Sequence, residues 1–413
     1  MASLPYWLFQ MLRHGKYRKG LAERLGVVPS RLQKPANHEP VIWIHAVSVG
    51  EVFAILGLAK ELQRRMPHHQ LFISTVTDTG QQLARKHFGE DRVFYFPMDF
   101  AFAIRPYLRA LRPELVAVAE TEFWPNFMRL AHAGGARIAI VNARISDRSW
   151  PRYRRFRSLI GKALAHVELF LAQTPQDAVR LEEIGAGAAR IRVTGNLKFD
   201  IATPASPPIL DRLHKTIAAT GAGPVIVCGS TVEGEEQFLL SAFLDIMKAY
   251  PQAAMILGPR HPERFAAVAM LLKEMSIPFY KRSQWQEQSL AGGVLLLDSI
   301  GELASIYALA DIAFVGGSLV PRGGHNIIEP AQYGTAIVVG KHTENFRDIV
   351  TLFQKHDAVR VAAASELSVV FLDLLANVEE RKALGRRAGD TVRSQTGATA
   401  RTAAALEQLL PRP

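Results

Sequence analysis

Short apolar runs alternate with amphipathic stretches along almost the whole chain. In the first half the runs cover residues 41–47, 71–76, 92–96, 115–119, 137–141, 168–172 and 191–193, and segments such as 52–66 and 177–184 between them carry apolar residues at helical spacing. Runs that are apolar on both faces and separated by helices predict a parallel sheet covered on both sides. The pattern breaks over residues 199–208, where Thr203-Pro204-Ala205-Ser206-Pro207-Pro208 suits a linker. It then restarts, with strands at 225–228, 254–257, 294–297, 312–315 and 336–339 and helices at 235–250, 262–273, 302–309 and 326–331. A last helical stretch, 398–410, is expected to pack back on the first half. The pattern predicts an α/β protein of two doubly wound halves. The expected division is 1–200, 201–396 and a C-terminal helical piece at 397–413. In such sheets ligands bind outside the carboxyl ends of the strands, so the expected site is a cleft between the halves.

Composition narrows the class. With 413 residues, 48% hydrophobic and 21% charged, the chain is globular rather than disordered. Its one cysteine, Cys228, excludes a disulfide framework and a cysteine-rich zinc site. Forty-nine Lys and Arg against 38 Asp and Glu give a net charge of +11, which favours an anionic partner. No nucleic-acid-binding motif accompanies that charge. No apolar run reaches the length of a membrane span. Residues 4–12 are nevertheless apolar and aromatic, and Arg13, Lys16, Arg18, Lys19 and Arg24 follow them. They form either a docked helix or an interfacial anchor. A second basic cluster, Arg144, Arg148, Arg152, Arg154, Arg155, Arg157 and Lys162, is interleaved with Trp150, Tyr153 and Phe156. It reads either as a solvated amphipathic helix or as a face for phosphates and lipid headgroups.

Candidate chemistry collects where strands end. Ser48-Val49-Gly50-Glu51 closes the first strand, and Glu51 falls in the first turn of the next helix. It is either a capping carboxylate or a general base. The helix dipole should depress its pKa unless burial opposes the shift. Glu120-Thr121-Glu122 ends another strand, and no histidine stands at metal-ligand spacing. Lys198, in Thr194-Gly195-Asn196-Leu197-Lys198-Phe199-Asp200, is either solvated or directed at a phosphate. In the second half, Gly229–Glu235, Pro259-Arg260-His261, Asp298–Glu302 and the glycine-rich stretch from Gly316-Gly317-Ser318 to Gly323-Gly324-His325-Asn326 all follow strands. Their small residues suggest backbone amides approaching an anion, with Glu329 in reach of ribose hydroxyls.

Taken in order, Ser48-Val49-Gly50-Glu51, Glu120-Thr121-Glu122 with Trp124-Pro125-Asn126, Asn142-Ala143-Arg144, the 194–200 motif, Pro259–Phe265 and the 316–326 loop resemble the 3-deoxy-D-manno-octulosonic acid (Kdo) transferases of lipopolysaccharide synthesis. The resemblance runs from about Tyr17 to the C-terminal region. It implies a GT-B glycosyltransferase, with two Rossmann-like domains facing across a cleft. The reaction it implies is inverting transfer of Kdo from CMP-Kdo to a lipid A precursor (lipid IVA), on the cytoplasmic face of the inner membrane. Glu51 is then the base, with Glu120 and Lys198 supporting the transition state. The CMP site falls on Pro259, Arg260, Ile300, Gly301, Glu302, Asn326, Ile327, Ile328 and Glu329. A donor with a single phosphate needs no metal clamp, so neither metal nor cofactor is expected. Two departures stand out. The apolar segment 4–12 is shorter than the anchor of many members, which favours peripheral attachment to an anionic membrane surface. Ile327-Ile328 replaces a Pro-Leu pair common in relatives. The rival enzyme reading is a GT-B transferase that uses a UDP-sugar.

Overall fold

The computed structural model describes residues 19–32, 39–147, 149–200 and 207–410. The apolar segment 4–12, Arg148 and most of the proline-rich stretch lie outside the described residues. The chain divides into two compact units: Met1–Ala202 together with Gln395–Pro413, and Thr203–Ser394.

The first unit holds seven parallel strands: β1 Val41–His45, β2 Gln70–Thr75, β3 Val93–Tyr95, β4 Pro113–Ala119, β5 Arg137–Ala143, β6 Leu169–Ala172 and β7 Ile191–Val193. Their order across the sheet is β3-β2-β1-β4-β5-β6-β7. The side-chain period of two sorts the core onto two faces. Val116 and Val118 join Trp43, Phe94, Phe127, Ile140 and Phe170 on one face. Leu115, Ala117 and Ala119 join Ile42, Ile44, Ile55, Leu58 and Leu171 on the other. The second face also receives Ala398, Ala403 and Leu406 of the C-terminal helix Ala398–Glu407. Both faces are therefore dry, which explains why these strands read as continuous apolar runs. The chain winds outward from β1 through β2 to β3 and then returns to β4 on the other side of β1. That reversal makes the carboxyl edge between β1 and β4 the switch point of the sheet.

The second unit repeats the plan with β8 Val225–Thr231, β9 Ala254–Pro259, β10 Phe279–Lys281, β11 Gly293–Leu296, β12 Ile312–Val315, β13 Ala336–Val339 and β14 Arg360–Val361, in the order β10-β11-β9-β8-β12-β13-β14. Every pairing is parallel. Its switch point lies between β8 and β12. The hydropathy pattern misses β10 and β14, edge strands of three and two residues that are only partly buried and so show no apolar run. The helix expected at 262–273 is a 3-10 turn, Pro262–Arg264, followed by the α-helix Phe265–Glu274. Among the described residues no helix is long and apolar enough to cross a membrane.

Candidate active site

At the switch point of the first sheet, β1 runs through Ala46-Val47-Ser48 into the helix Val49–Arg65. Glu51 sits in the first turn of that helix and is only 7% exposed. The Val47 N–H donates to its Oε2 at 2.7 Å, and Ser48 Oγ lies 3.0 Å from its Oε1. The capping reading therefore holds as a local contact. The expected depression of its pKa does not. Burial raises the carboxyl from 4.5 to about 8, the negative charges of Glu120 and Glu122 push the same way, and the Val47 and Ser48 bonds oppose them only in part. Desolvation outweighs the helix terminus because the side chain is buried rather than lying on the helix surface.

Glu120 follows β4 with φ 56°, a left-handed conformation that a non-glycine residue rarely adopts. Its backbone N–H donates to Val141 O at 2.8 Å. Lys198 Nζ lies 3.3 Å from its Oε1, so these two groups, 78 positions apart, form an ion pair with both partners partly exposed. Glu122 is half-buried, and burial followed by the charge of Glu120 raises its pKa. Two more positive φ values at strand ends, Asn142 at 54° and Ser230 at 54°, fall at the carboxyl edges of β5 and β8. Such strain collects where side chains must be aimed rather than packed. Among the described residues no three His, Cys, Asp or Glu side chains converge as a metal site.

In the second unit the glycine-rich loop has an occupant that the sequence reading did not foresee. Glu235 is fully buried, and its carboxylate accepts four backbone N–H bonds: from Val232 (3.0 Å), Gly317 (2.7 Å), Ser318 (2.9 Å) and Leu319 (2.8 Å). The amides at 317–319 are therefore taken by a carboxyl group of the chain itself. Gly317 has φ +71°, and a Cβ there would come within 2.8 Å of the His325 ring, so the loop needs a residue without one. The only sequence signal for this clamp was a glutamate ending a strand-to-helix turn opposite a glycine pair.

Arg260 is exposed at the mouth of β9, and its backbone N–H donates to Thr231 O at 2.9 Å. Its charge reaches both Glu329 and His325. Burial of the His325 ring, followed by the charge of Arg260, lowers its pKa to about 4, and burial raises the Glu329 carboxyl against the Asn326 bond and the Arg260 charge. Asn326 Nδ2 donates to Glu329 Oε1 at 3.3 Å, and Asn326 Oδ1 accepts the Ile328 N–H at 3.2 Å. The fold thus brings Arg260, Asn326 and Glu329 together. Ile327 and Ile328 each keep 1% exposure, so their side chains belong to the core. Pro259 is likewise buried, as the last residue of β9. Ile300, Gly301 and Glu302 lie in another loop. Ile300 is 69% exposed there, and Glu302 is bound bidentately by Arg282, with contacts of 2.6 and 3.0 Å. Sequence reading did not single out Arg282.

Two parts of the basic surface also differ from expectation. Arg24 is buried, donates from Nη2 to Val76 O at 2.6 Å and stacks over Tyr95, so it is a core residue and not a surface cation. Trp150 and Tyr153 pack inward, under Arg180 and against Phe123. Phe156 and Leu159 are the exposed apolar residues, at 50% and 67%, among the exposed Arg152, Arg154, Arg155, Arg157 and Lys162.

The two units are doubly wound α/β domains, each with charged side chains gathered at the carboxyl edge of its parallel sheet. A family model described as 3-deoxy-D-manno-octulosonic-acid transferase (kdotransferase) matches residues 19–201. A 3-deoxy-D-manno-octulosonic acid transferase of Haemophilus influenzae is 34% identical over 406 residues, covering 96% of this chain and 93% of that protein. One from Bordetella pertussis is 34% identical over 423 residues, covering 98% and 95%. A solved structure of a putative UDP-N-acetylglucosamine 2-epimerase from Listeria monocytogenes superimposes with a TM-score of 0.60 at 15% identity, over 91% of this chain and 98% of that one, and shows the shared fold. The chain belongs to the 3-deoxy-D-manno-octulosonic acid transferase family. Its activity is transfer of Kdo in lipopolysaccharide biosynthesis.

Proposed function

We propose that the chain moves Kdo from CMP-Kdo to a hydroxyl of a lipid A precursor, lipid IVA, with inversion at the anomeric carbon. Glu51 takes the proton from the acceptor hydroxyl, the acceptor oxygen bonds to the anomeric carbon, and the bond from that carbon to the phosphate oxygen breaks to release CMP. No covalent enzyme intermediate is needed for this single displacement. The observation that carries the reading is the Glu51 carboxyl, buried at the β1–β4 switch point with its pKa raised to about 8. A base of that strength suits a sugar hydroxyl better than an ordinary carboxylate does. Its ionised fraction at neutral pH is small, so the base strengthens at the expense of its population.

Lys198 is held by Glu120 at 3.3 Å and supplies the positive charge that can offset charge growing on the departing phosphate. On the donor side, Arg260 is exposed and free to meet the single phosphate of CMP. Glu329, steadied by Asn326, is suited to accept hydrogen bonds from ribose hydroxyls. The 300–302 loop presents an exposed apolar side chain, Ile300, for a pyrimidine face, and Ile327 and Ile328 serve through their backbone. With one phosphate to neutralise and an arginine to do it, the reaction is proposed to need no metal or cofactor. The exposed Phe156 and Leu159 among arginines suit peripheral docking on an anionic membrane surface, on the cytoplasmic face of the inner membrane where the acceptor lies.

The test is product mass spectrometry with purified enzyme, CMP-Kdo and the lipid A precursor, run beside Glu51→Gln. One or more added Kdo masses with the native enzyme, and none with the variant although it still binds CMP, is the expected result. Near-normal turnover by the variant would reduce Glu51 to a cap.

A further inference from the structure

The turn that carries Lys198 is held from both sides. On one side the buried Asn142 accepts the Leu197 N–H on Oδ1 at 3.0 Å. On the other side stands the last helix of the chain. Asp200 accepts the Gly397 N–H on Oδ1 at 2.7 Å and the Thr399 N–H on Oδ2, so it caps a helix that begins almost 200 residues later. Gly397 has φ +89°, which lets the chain turn into that helix directly over Asp200. Arg401 Nε donates to Thr194 O at 2.9 Å, and Thr402 Oγ1 lies 3.2 Å from Thr194 Oγ1. The same helix packs on the helix Val49–Arg65, which carries Glu51: Ala403 and Leu406 share a core with Ile55 and Leu58, and Thr399 lies against Gly57.

We infer that Asp200 is a positioning residue for Lys198, and that the C-terminal helix is the brace that sets the lysine's turn against the helix bearing Glu51. The inference rests on the role proposed above for Lys198. Both oxygens of the Asp200 carboxylate are bonded to backbone amides of the last helix. Asp200 acts by fixing where Leu197–Asp200 lies, and a shift of about 1 Å at a charge-stabilising group is enough to cost on the order of a hundredfold in rate. A helix cap with no catalytic reach would change stability and leave the chemistry alone.

The experiment measures kcat and donor KM for the full chain carrying Asp200→Ala, Asp200→Asn, Lys198→Ala and the double change Asp200→Ala with Lys198→Ala, each confirmed folded by circular dichroism and by CMP titration. Asp200→Ala is expected to lower kcat roughly 10- to 100-fold at unchanged donor KM. Asp200→Asn keeps one cap acceptor and should recover most of the loss. In the Lys198→Ala background, removing the Asp200 carboxylate should cost nothing further, because the two changes act on one group. Equal losses in both backgrounds would overturn the inference while leaving Lys198 its role. A Lys198→Ala enzyme with native kcat would reject that role and the inference with it. If Asp200→Ala does not fold, Arg401→Gln, which releases the other end of the same segment at Thr194, carries the same comparison.

Discussion

Replacing Glu51 with Gln tests the electrostatics of the site without any substrate. Gln keeps the shape and can still accept the Val47 N–H and bond to Ser48, so the packing survives while the titration is removed. The carboxyl's pKa rises from 4.5 to about 8 in the fold, which amounts to about 5 kcal/mol of preference for the neutral form. The sign follows from proton counts. Between pH 4.5 and 8 the folded chain holds a proton that the unfolded chain has released, so raising the pH destabilises the fold. The native protein and the variant should therefore be equally stable near pH 4. At pH 7 the variant should be more stable by about 3 kcal/mol, and above pH 8.5 by about 5 kcal/mol, in the transition of the first unit. Urea titrations of both proteins at pH 4.5, 7 and 9 read the difference directly. Titrating groups remote from Glu51 are common to the two chains and cancel. A constant difference across that range would mean that Glu51 ionises like a surface carboxylate, and the argument for a strong buried base would fail. The kinetic counterpart is a kcat/KM that climbs with pH until about 8 in the native enzyme and falls by about 10²- to 10⁴-fold in the variant.

The other predictions concern separate parts of the molecule. Arg260→Ala should weaken CMP binding by about 1.5–3 kcal/mol, the range of a charge-assisted hydrogen bond, as read by calorimetric titration; an unchanged affinity would remove Arg260 from the donor site. Glu235→Ala should destabilise the second unit by on the order of 4 kcal/mol in chemical denaturation, since it strands four backbone donors now bonded to that carboxylate; a much smaller loss, or none, would be incompatible with the clamp. Replacing Arg154, Arg155 and Arg157 together with Glu should abolish sedimentation with anionic vesicles at low salt while CMP binding stays native. Binding that survives, or that ignores salt, would place the membrane face elsewhere.

Sequence alone determined the architecture and the places where polar residues end the apolar runs. Strands buried on both faces must be apolar throughout, so 41–45, 115–119, 225–228 and 312–315 announce parallel sheets without any long-range information. Glycines and carboxylates that end such strands mark the carboxyl edge of each sheet, because that is where the chain turns and polar groups are tolerated. Tertiary structure alone decided what those groups do to one another. The pKa of Glu51 reverses the local expectation because desolvation and two like charges depend on what packs over it, and Glu120 lies 69 positions away. Lys198 meets Glu120 only because β4 and the 197–200 turn share one edge of the sheet. The glycine-rich loop reads as an anion cradle in one dimension, yet Glu235 already fills it. Asp200 finds its partners at Gly397 and Thr399, which no local pattern links to it. Periodicity is a local property that each segment carries in itself. Hydrogen-bond partners and burial are properties of the folded surroundings, and they exist only once distant segments have been brought together.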